Sequence, residues 1–200
     1  MKKIEYYFDC SSPWTYLSFR GILDLSKRYK FEIVWKPILV GGVFNSINPS
    51  VYESRKNPVQ EKSIYSRKDL NDWAKVRGVE INWPKLFPIN SVKAMRGAFF
   101  AIQESHIEEY VEIIFKSYWS EGKDISSIEV LHEIISNFKW DKESFTSYIE
   151  DQSIKNKLSK NTQELIDRGG FGSPTFFINE DDMFFGNDRL SLIEELYLKT

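Results

Sequence analysis

The chain has one cysteine, Cys10, among 200 residues. It can form no intrachain disulfide and carries no C-x-x-C redox pair. Two histidines beside that one thiol make no zinc-ligand set, so no metal is expected. Charge is equally uninformative in sign: 27 basic against 29 acidic residues leave a net charge of -2. That balance gives no reason to expect a nucleic-acid or membrane-surface partner. No stretch approaches the roughly 18 apolar residues of a membrane span. Met1-Lys2-Lys3 is like the start of a secretory signal, but Glu5 and Asp9 interrupt the apolar segment next to it, so none is expected. A reducing cytoplasm is the compartment that such cysteine usage suggests. There is no internal repeat and no low-complexity segment.

Aromatic residues, by contrast, are abundant at 16%, including six Trp and fifteen Phe. They suffice for a large core and equally for an apolar ligand pocket. The length suits one domain or a domain with an insertion. Ile4–Phe8 reads as a strand, Pro13–Tyr29 as a helix and Phe31–Lys36 as a second strand stopped by Pro37. A strand–helix–strand unit of this length implies parallel strands with a right-handed crossover.

Leu39–Pro58 is rich in Gly, Asn and Pro and is expected to be a long loop. Helical periodicity returns over Glu61–Arg77, with Gly78 as its C-terminal stop. An irregular connector spans Asn82–Pro88. Further helices are expected over Ser91–Glu104 (Ser91 as N-cap), Ile107–Trp119, Ser127–Asn137, Asp141–Ile149 and Ile154–Arg168. His106 and His132 are expected on helix surfaces. Thr175–Asn179 and Met183–Phe185 then read as strands, and a last helix runs from Asn187 through Tyr197. The resulting order is βαβ, a helical block, then ββα. It suits an α/β sheet built from the chain's two ends, residues 1–40 and 170–200, with residues 41–169 inserted as a helical domain and connecting loop.

The most informative stretch is Asp9-Cys10-Ser11-Ser12-Pro13-Trp14. Ser12 stands at an N-cap and Pro13 at the first helical position. An ordinary helix start explains both. A strand-to-helix turn of this kind also presents free N–H groups and a positive dipole end, a setting that favours a thiolate. Cys10, two residues upstream, suits a small buried core position.

Three pieces taken together resemble one family: Tyr7-Phe8-Asp9-x-x-Ser12-Pro13-Trp14, Gly172-Ser173-Pro174-Thr175 and Phe185-Gly186-Asn187-Asp188-Arg189-Leu190. Their order and spacing resemble the kappa-class glutathione transferases and bacterial 2-hydroxychromene-2-carboxylate isomerases. Lys36-Pro37-x-Leu39 and Ser91-x-x-Ala94-x-Arg96 extend the likeness over nearly the whole chain. The resemblance implies a DsbA-like thioredoxin fold with a large all-helical insertion, Pro174 in the cis form, and Ser12 where thiol oxidases carry their nucleophilic cysteine. Thr15 takes the second redox position. A hydroxyl cannot form a mixed disulfide, so the thiol must come from outside.

The family takes that thiol from glutathione, the cofactor expected here. By resemblance Ser12 is catalytic and, with Pro13 and Trp14, lines the cofactor site. Ser173 beside Pro174 pairs with the cysteinyl backbone. Asn187 and Asp188 hold the γ-glutamyl group, Asn48 belongs to a binding loop, and Lys62 lies near the glycyl carboxylate. Trp14, where relatives often carry Tyr or Phe, and Cys10, where many carry an aliphatic residue, depart from the pattern. A helix cap explains Asn187 and Asp188 as well, and a solvated side chain explains Lys62.

The reaction expected is glutathione-dependent isomerisation of a small aromatic or unsaturated substrate. Kappa-type conjugation or peroxide reduction is one alternative, and a non-catalytic thioredoxin-fold binding protein is another. The family is often dimeric, which makes a homodimer the expectation.

Overall fold

Strand β1 (Lys3–Phe8), helix α1 (Pro13–Tyr29) and strand β2 (Glu32–Pro37) open the computed structural model, which describes residues 2–199. β1 and β2 run parallel, in register from Lys3 opposite Glu32 to Phe8 opposite Pro37. Strands β3 (Thr175–Ile178) and β4 (Asp182–Phe185) come from the far end of the chain. β3 lies antiparallel to β1 and β4 antiparallel to β3, which makes the sheet order β2-β1-β3-β4. β1 is therefore central and buried on both faces.

Strand alternation divides β1 between two environments. Ile4, Tyr6 and Phe8 face the α1 side, where the Tyr6 hydroxyl donates to the Thr15 carbonyl at 3.0 Å. The Tyr6 ring stacks on Phe8 and Phe176, with centroids 5.4 and 5.2 Å away. Tyr7 points the other way, into a smaller cluster with Ile38, Val43, Leu165 and Phe177.

Between the strands lie α2 (Val40–Ile47), α3 (Ser50–Lys56), α4 (Gln60–Arg77), α5 (Val92–Gln103), α6 (Ile107–Phe115), α7 (Ile128–Ser136), α8 (Lys142–Glu150) and α9 (Gln152–Asp167). The largest apolar cluster joins Tyr6, Phe8 and Phe176 of the sheet to Phe115, Trp119 and Leu131 of the helical block. Sheet and helices thus share one interior. A Cβ at Gly97 would run into the Tyr110 hydroxyl and the Phe145 ring. Its absence lets α5, α6 and α8 approach closely.

The clearest correction concerns Leu39–Pro58, which forms two helices, α2 and α3, rather than a loop. Val40 and Val43 bury on one side of α2. A Cβ at Gly42 would lie 3.3 Å from Thr162 Cγ2 of α9, so this glycine permits close helix packing. Ser91 precedes α5 but its hydroxyl does not cap it. The Val92 N–H donates to Asn90 Oδ1 instead, and the Ser91 hydroxyl bonds the Asp9 carboxylate.

The helix expected through Trp119 changes at Lys116–Ser120 into a wider π turn. The C-terminal segment is likewise composite: a 3-10 turn over Asn187–Arg189, α10 (Leu190–Ile193) and a π turn over Glu194–Leu198. His132 is half-buried between α7 and α8, 2.8 Å from the Thr146 hydroxyl, whereas His106 is exposed at the start of α6. No helix among the described residues is long and apolar enough to cross a membrane. No group of three or more His, Cys, Asp or Glu there is placed to hold a metal ion.

Candidate active site

The N-terminus of α1 meets the loop before β3. Ser12 has extended backbone angles (φ -103, ψ 124), and its Oγ accepts from the Thr15 N–H at 3.3 Å, as an N-cap does. Pro13 begins the helix. The Ser12 hydroxyl also donates to the Ser173 carbonyl at 3.2 Å. The Ser173–Pro174 peptide is cis. Strand and loop are further pinned by the Ser173 hydroxyl, which accepts from the Asp9 N–H at 3.0 Å and lies 2.8 Å from the Thr15 hydroxyl. Thr15, in the second redox position, thus serves as a buried hydrogen-bonding post.

Beneath this junction sits Asp9, 1% exposed. One carboxylate oxygen accepts from the Ser11 N–H at 2.9 Å, the other from the Val40 N–H at 2.8 Å. Burial raises its pKa above the usual carboxylate value, against the lowering effect of the Ser11 and Val40 amides and the Ser91 and Ser11 hydroxyls. Asp9 ties the Ser12 loop to the start of α2. Cys10 is equally enclosed: its N–H donates to Met95 Sδ at 3.3 Å and its carbonyl accepts from Trp119 Nε1 at 2.9 Å. Burial, with a smaller contribution from the Asp9 charge, pushes its thiol well above the ordinary range. It is a core residue, as its small apolar character suggests.

The other residues singled out in the sequence fall at different distances from this centre. The Asn48 side-chain amide, after α2, donates to the Phe171 carbonyl at 3.2 Å. That contact places it against the loop that leads to Ser173. Gly186 donates to the Pro174 carbonyl at 3.1 Å, which sets the adjoining Asn187–Asp188 turn beside the cis proline. Asn187 is buried, 2% exposed, and Asp188 is exposed, with an ion pair to Arg189 at 3.3 Å. Gly186 needs its positive φ of 108, and a Cβ there would come within 2.8 Å of Asp188 Oδ1.

Trp14 is half-buried and packs on Leu17, Leu70 and Ala74. Lys62 lies exposed early in α4, its side chain making no hydrogen bond or ion pair among the described residues. Phe44 and Phe87 each lie beside the Arg55 guanidinium, at 5.7 and 5.3 Å.

Sequence reasoning missed the anchoring by Asp9, the Ser173 hydroxyl and the Ser91 hydroxyl. Asp9 alone left a signal, an acid at the buried end of an apolar strand. Two open clefts lie away from Ser12. One, of about 600 Å³, runs between α1, α4 and the C-terminal segment. The other, of about 630 Å³, borders Glu5, Glu164 and Arg168.

A central β1, a capped α1 and a cis proline facing its first turn define a thioredoxin-like protein, here with hydroxyls in both redox positions. The chain belongs to the DsbA-like thioredoxin family, whose model matches residues 3–198. It is 28% identical over 196 residues to a 2-hydroxychromene-2-carboxylate isomerase of Pseudomonas putida, covering 96% of this chain and 92% of that one. It is 26% identical to glutathione S-transferase kappa 2 of Caenorhabditis elegans, covering 97% and 91%. A solved structure of a 2-hydroxychromene-2-carboxylate isomerase superposes with a TM-score of 0.81 at 25% identity, over 96% of this chain and 93% of that one. These relatives are enzymes by name, and they bear out the DsbA-like fold and the isomerase and kappa-transferase likeness read from the motifs.

Proposed function

We propose that the protein is a glutathione-dependent isomerase acting on a small, unsaturated, aromatic-derived substrate, with Ser12 stabilising the glutathione thiolate. The observation that carries this reading is the position of the Ser12 hydroxyl. It lies at the N-terminus of α1 and 3.2 Å from the Ser173 carbonyl beside the cis proline, with no thiol at either redox position.

A free thiol with a pKa of about 8.5 is only a few per cent thiolate at neutral pH. A hydroxyl donor and a helix N-terminus together lower that by roughly one to two units, each unit being about 1.4 kcal/mol. The Ser12 oxygen keeps its bond from the Thr15 N–H while the hydroxyl proton turns from the Ser173 carbonyl to the incoming sulfur. The freed Ser173 carbonyl then accepts from the cysteinyl N–H, in strand-like pairing. Asn187 and Asp188 receive the γ-glutamyl end, Asp188 taking its ammonium. Asn48 and Lys62 take the glycyl side, and Pro13 and Trp14 flank the thiolate.

When bound, glutathione would supply a thiolate nucleophile for reversible addition to an unsaturated carbon of the substrate and would be recovered unchanged, while Ser12 would hold that sulfur deprotonated without itself bonding to the substrate. The likeness to kappa-class transferases supports a second reading, in which the adduct is the released product. Glutathione consumption separates the two: none with the isomerase, one per turnover with the transferase.

The deciding experiment is an ultraviolet difference titration of glutathione near neutral pH, with Ser12→Ala alongside. A saturable thiolate band that vanishes in the variant supports the reading. No binding by either protein sinks it and leaves a thioredoxin-fold binding module. Cytoplasmic location and a homodimer complete the proposal, to be tested by fractionation and by mass in solution.

A further inference from the structure

Arg77 ends α4, and its side chain crosses from the helical block to the other end of the chain. Its guanidinium lies 5.3 Å from the Trp73 ring centroid, one helical turn back. It rests on α1 at Gly21, where a Cβ would come within 2.7 Å of Arg77 Cζ and 2.9 Å of Nη1. Any larger residue at position 21 would push the guanidinium away. Half-buried, it has no carboxylate within ion-pair distance among the described residues, although Asp24 lies near enough to act on its charge. Burial of a cation without a paired anion is costly. The one side-chain hydrogen bond of Arg77 among the described residues, from Nε to Asn187 Oδ1, is long at 3.4 Å.

That bond decides which way the Asn187 amide faces. A guanidinium only donates, so the atom turned toward it must be the carbonyl oxygen. The Asn187 NH2 group is thereby turned to the other side. It has no partner among the described residues, yet it is not sealed off: the one fully buried side-chain polar atom there without a partner is Arg96 Nε. Two donor hydrogens therefore remain for a ligand at the turn that Gly186 holds beside Pro174.

We infer that Arg77 is a positioning residue: it orients the Asn187 amide so that its NH2 group faces the α-carboxylate of the γ-glutamyl moiety, while Asp188 takes the ammonium. The inference rests on the glutathione reading. It makes the helical block, through α4, a structural part of the cofactor site. Without Arg77 the amide is free to flip and present its oxygen to a carboxylate, a repulsive arrangement.

The test measures dissociation constants for glutathione and for S-methylglutathione, whose capped sulfur reports anchoring without the thiolate. The proteins are the wild type, Arg77→Met, Arg77→Lys, Asn187→Ala and the Arg77→Met/Asn187→Ala double variant, each checked for cooperative melting. Loss of one oriented hydrogen-bonding group corresponds to about a tenfold weakening. Arg77→Met should weaken both ligands about tenfold in the wild-type background and less than about twofold where Asn187 is already Ala. Arg77→Lys, which keeps a donor, should recover part of the loss. The thiolate band at saturating glutathione should keep its amplitude, because Ser12 is untouched.

Unchanged affinity in folded Arg77→Met overturns the inference, as does an undiminished effect in the Asn187→Ala background. If Arg77→Met does not fold, Arg77→Lys carries the test: wild-type affinity in it counts against an oriented role. Failure of the wild type to bind either ligand overturns the glutathione reading itself, and this inference with it.

Discussion

The Ser12 hydroxyl donates to the Ser173 carbonyl across 161 residues of chain, at 3.2 Å. This contact joins the first turn of α1 to the strand-like edge before Pro174. It places a rotatable proton donor at the N-terminus of α1, beside the cis proline. Ser12→Ala removes that donor and the cap on the Thr15 N–H together. The cost in stability should be about 0.5–2 kcal/mol, the usual worth of an N-cap. Thermal melts measure that loss, and the glutathione titration measures the loss of thiolate.

Ser12→Cys tests the electrostatics without any ligand. A thiol at the N-terminus of α1 should titrate well below the unperturbed value of about 8.5. The pH dependence of its alkylation by iodoacetamide reads this directly. An inflection at or above the unperturbed value would mean that the helix N-terminus exerts no useful field at this position.

Cys10 should behave in the opposite way. Its thiol is 1% exposed, and burial pushes its pKa well up. A chromogenic disulfide reagent should find no reactive thiol in the native protein and one per chain in denaturant. Modification at the rate of global unfolding fits this burial. Fast modification of folded protein would restore Cys10 as an auxiliary thiol.

Asp9 makes stability depend on pH in a definite direction. Burial raises its folded-state pKa above 3.8, so the native state holds the proton more tightly than the unfolded chain. The stability gained from this linkage is fully present below about pH 3.8 and is lost as pH rises through the native pKa. Asp9→Asn removes that dependence but supplies one acceptor where two backbone N–H groups, from Ser11 and Val40, now find two. A destabilisation of about 1–3 kcal/mol should result. Urea melts should show the penalty to be larger near pH 4 than near pH 7.

Glu164 gives the contrary sign. Burial acts to raise its pKa, but hydrogen bonds from Lys36 and Tyr7 and the charges of Lys36 and Arg168 outweigh it, leaving the carboxyl below its ordinary range. Its contribution is present above about 4.5 and is lost as pH falls through the native value. Glu164→Gln should cost about 1–2 kcal/mol at pH 7, since Tyr7 at 2.8 Å and Lys36 at 2.9 Å both lose a charged acceptor. The difference from wild type should shrink in acid, again by urea melts.

Much of the site was legible because it is local. Ser12, Pro13 and the helical period after them specify a capped helix through contacts within one turn, and that helix forms as expected. The β1–β2 crossover and the short strands near the end of the chain reflect equally local patterns. Leu39–Pro58 misled because its glycines and Asn48-Pro49 read as breaks. Two members of the apolar cluster that buries Val43, Leu165 and Phe177, come from segments more than a hundred residues away.

By itself, then, the sequence determined the order of the strands and of the helices outside Leu39–Pro58, the capped N-terminus of α1 and the absence of any resident redox pair. Each depends on neighbours in the chain or on residue identity alone. Tertiary structure alone decided that Ser173 accepts from Asp9 and Ser12, that Asp9 braces the start of α2, and that Arg77 reaches Asn187 over Gly21. Those are hydrogen bonds between distant segments. A single buried donor or acceptor leaves no periodic trace in a sequence, and its partner exists only once the chain has closed around it.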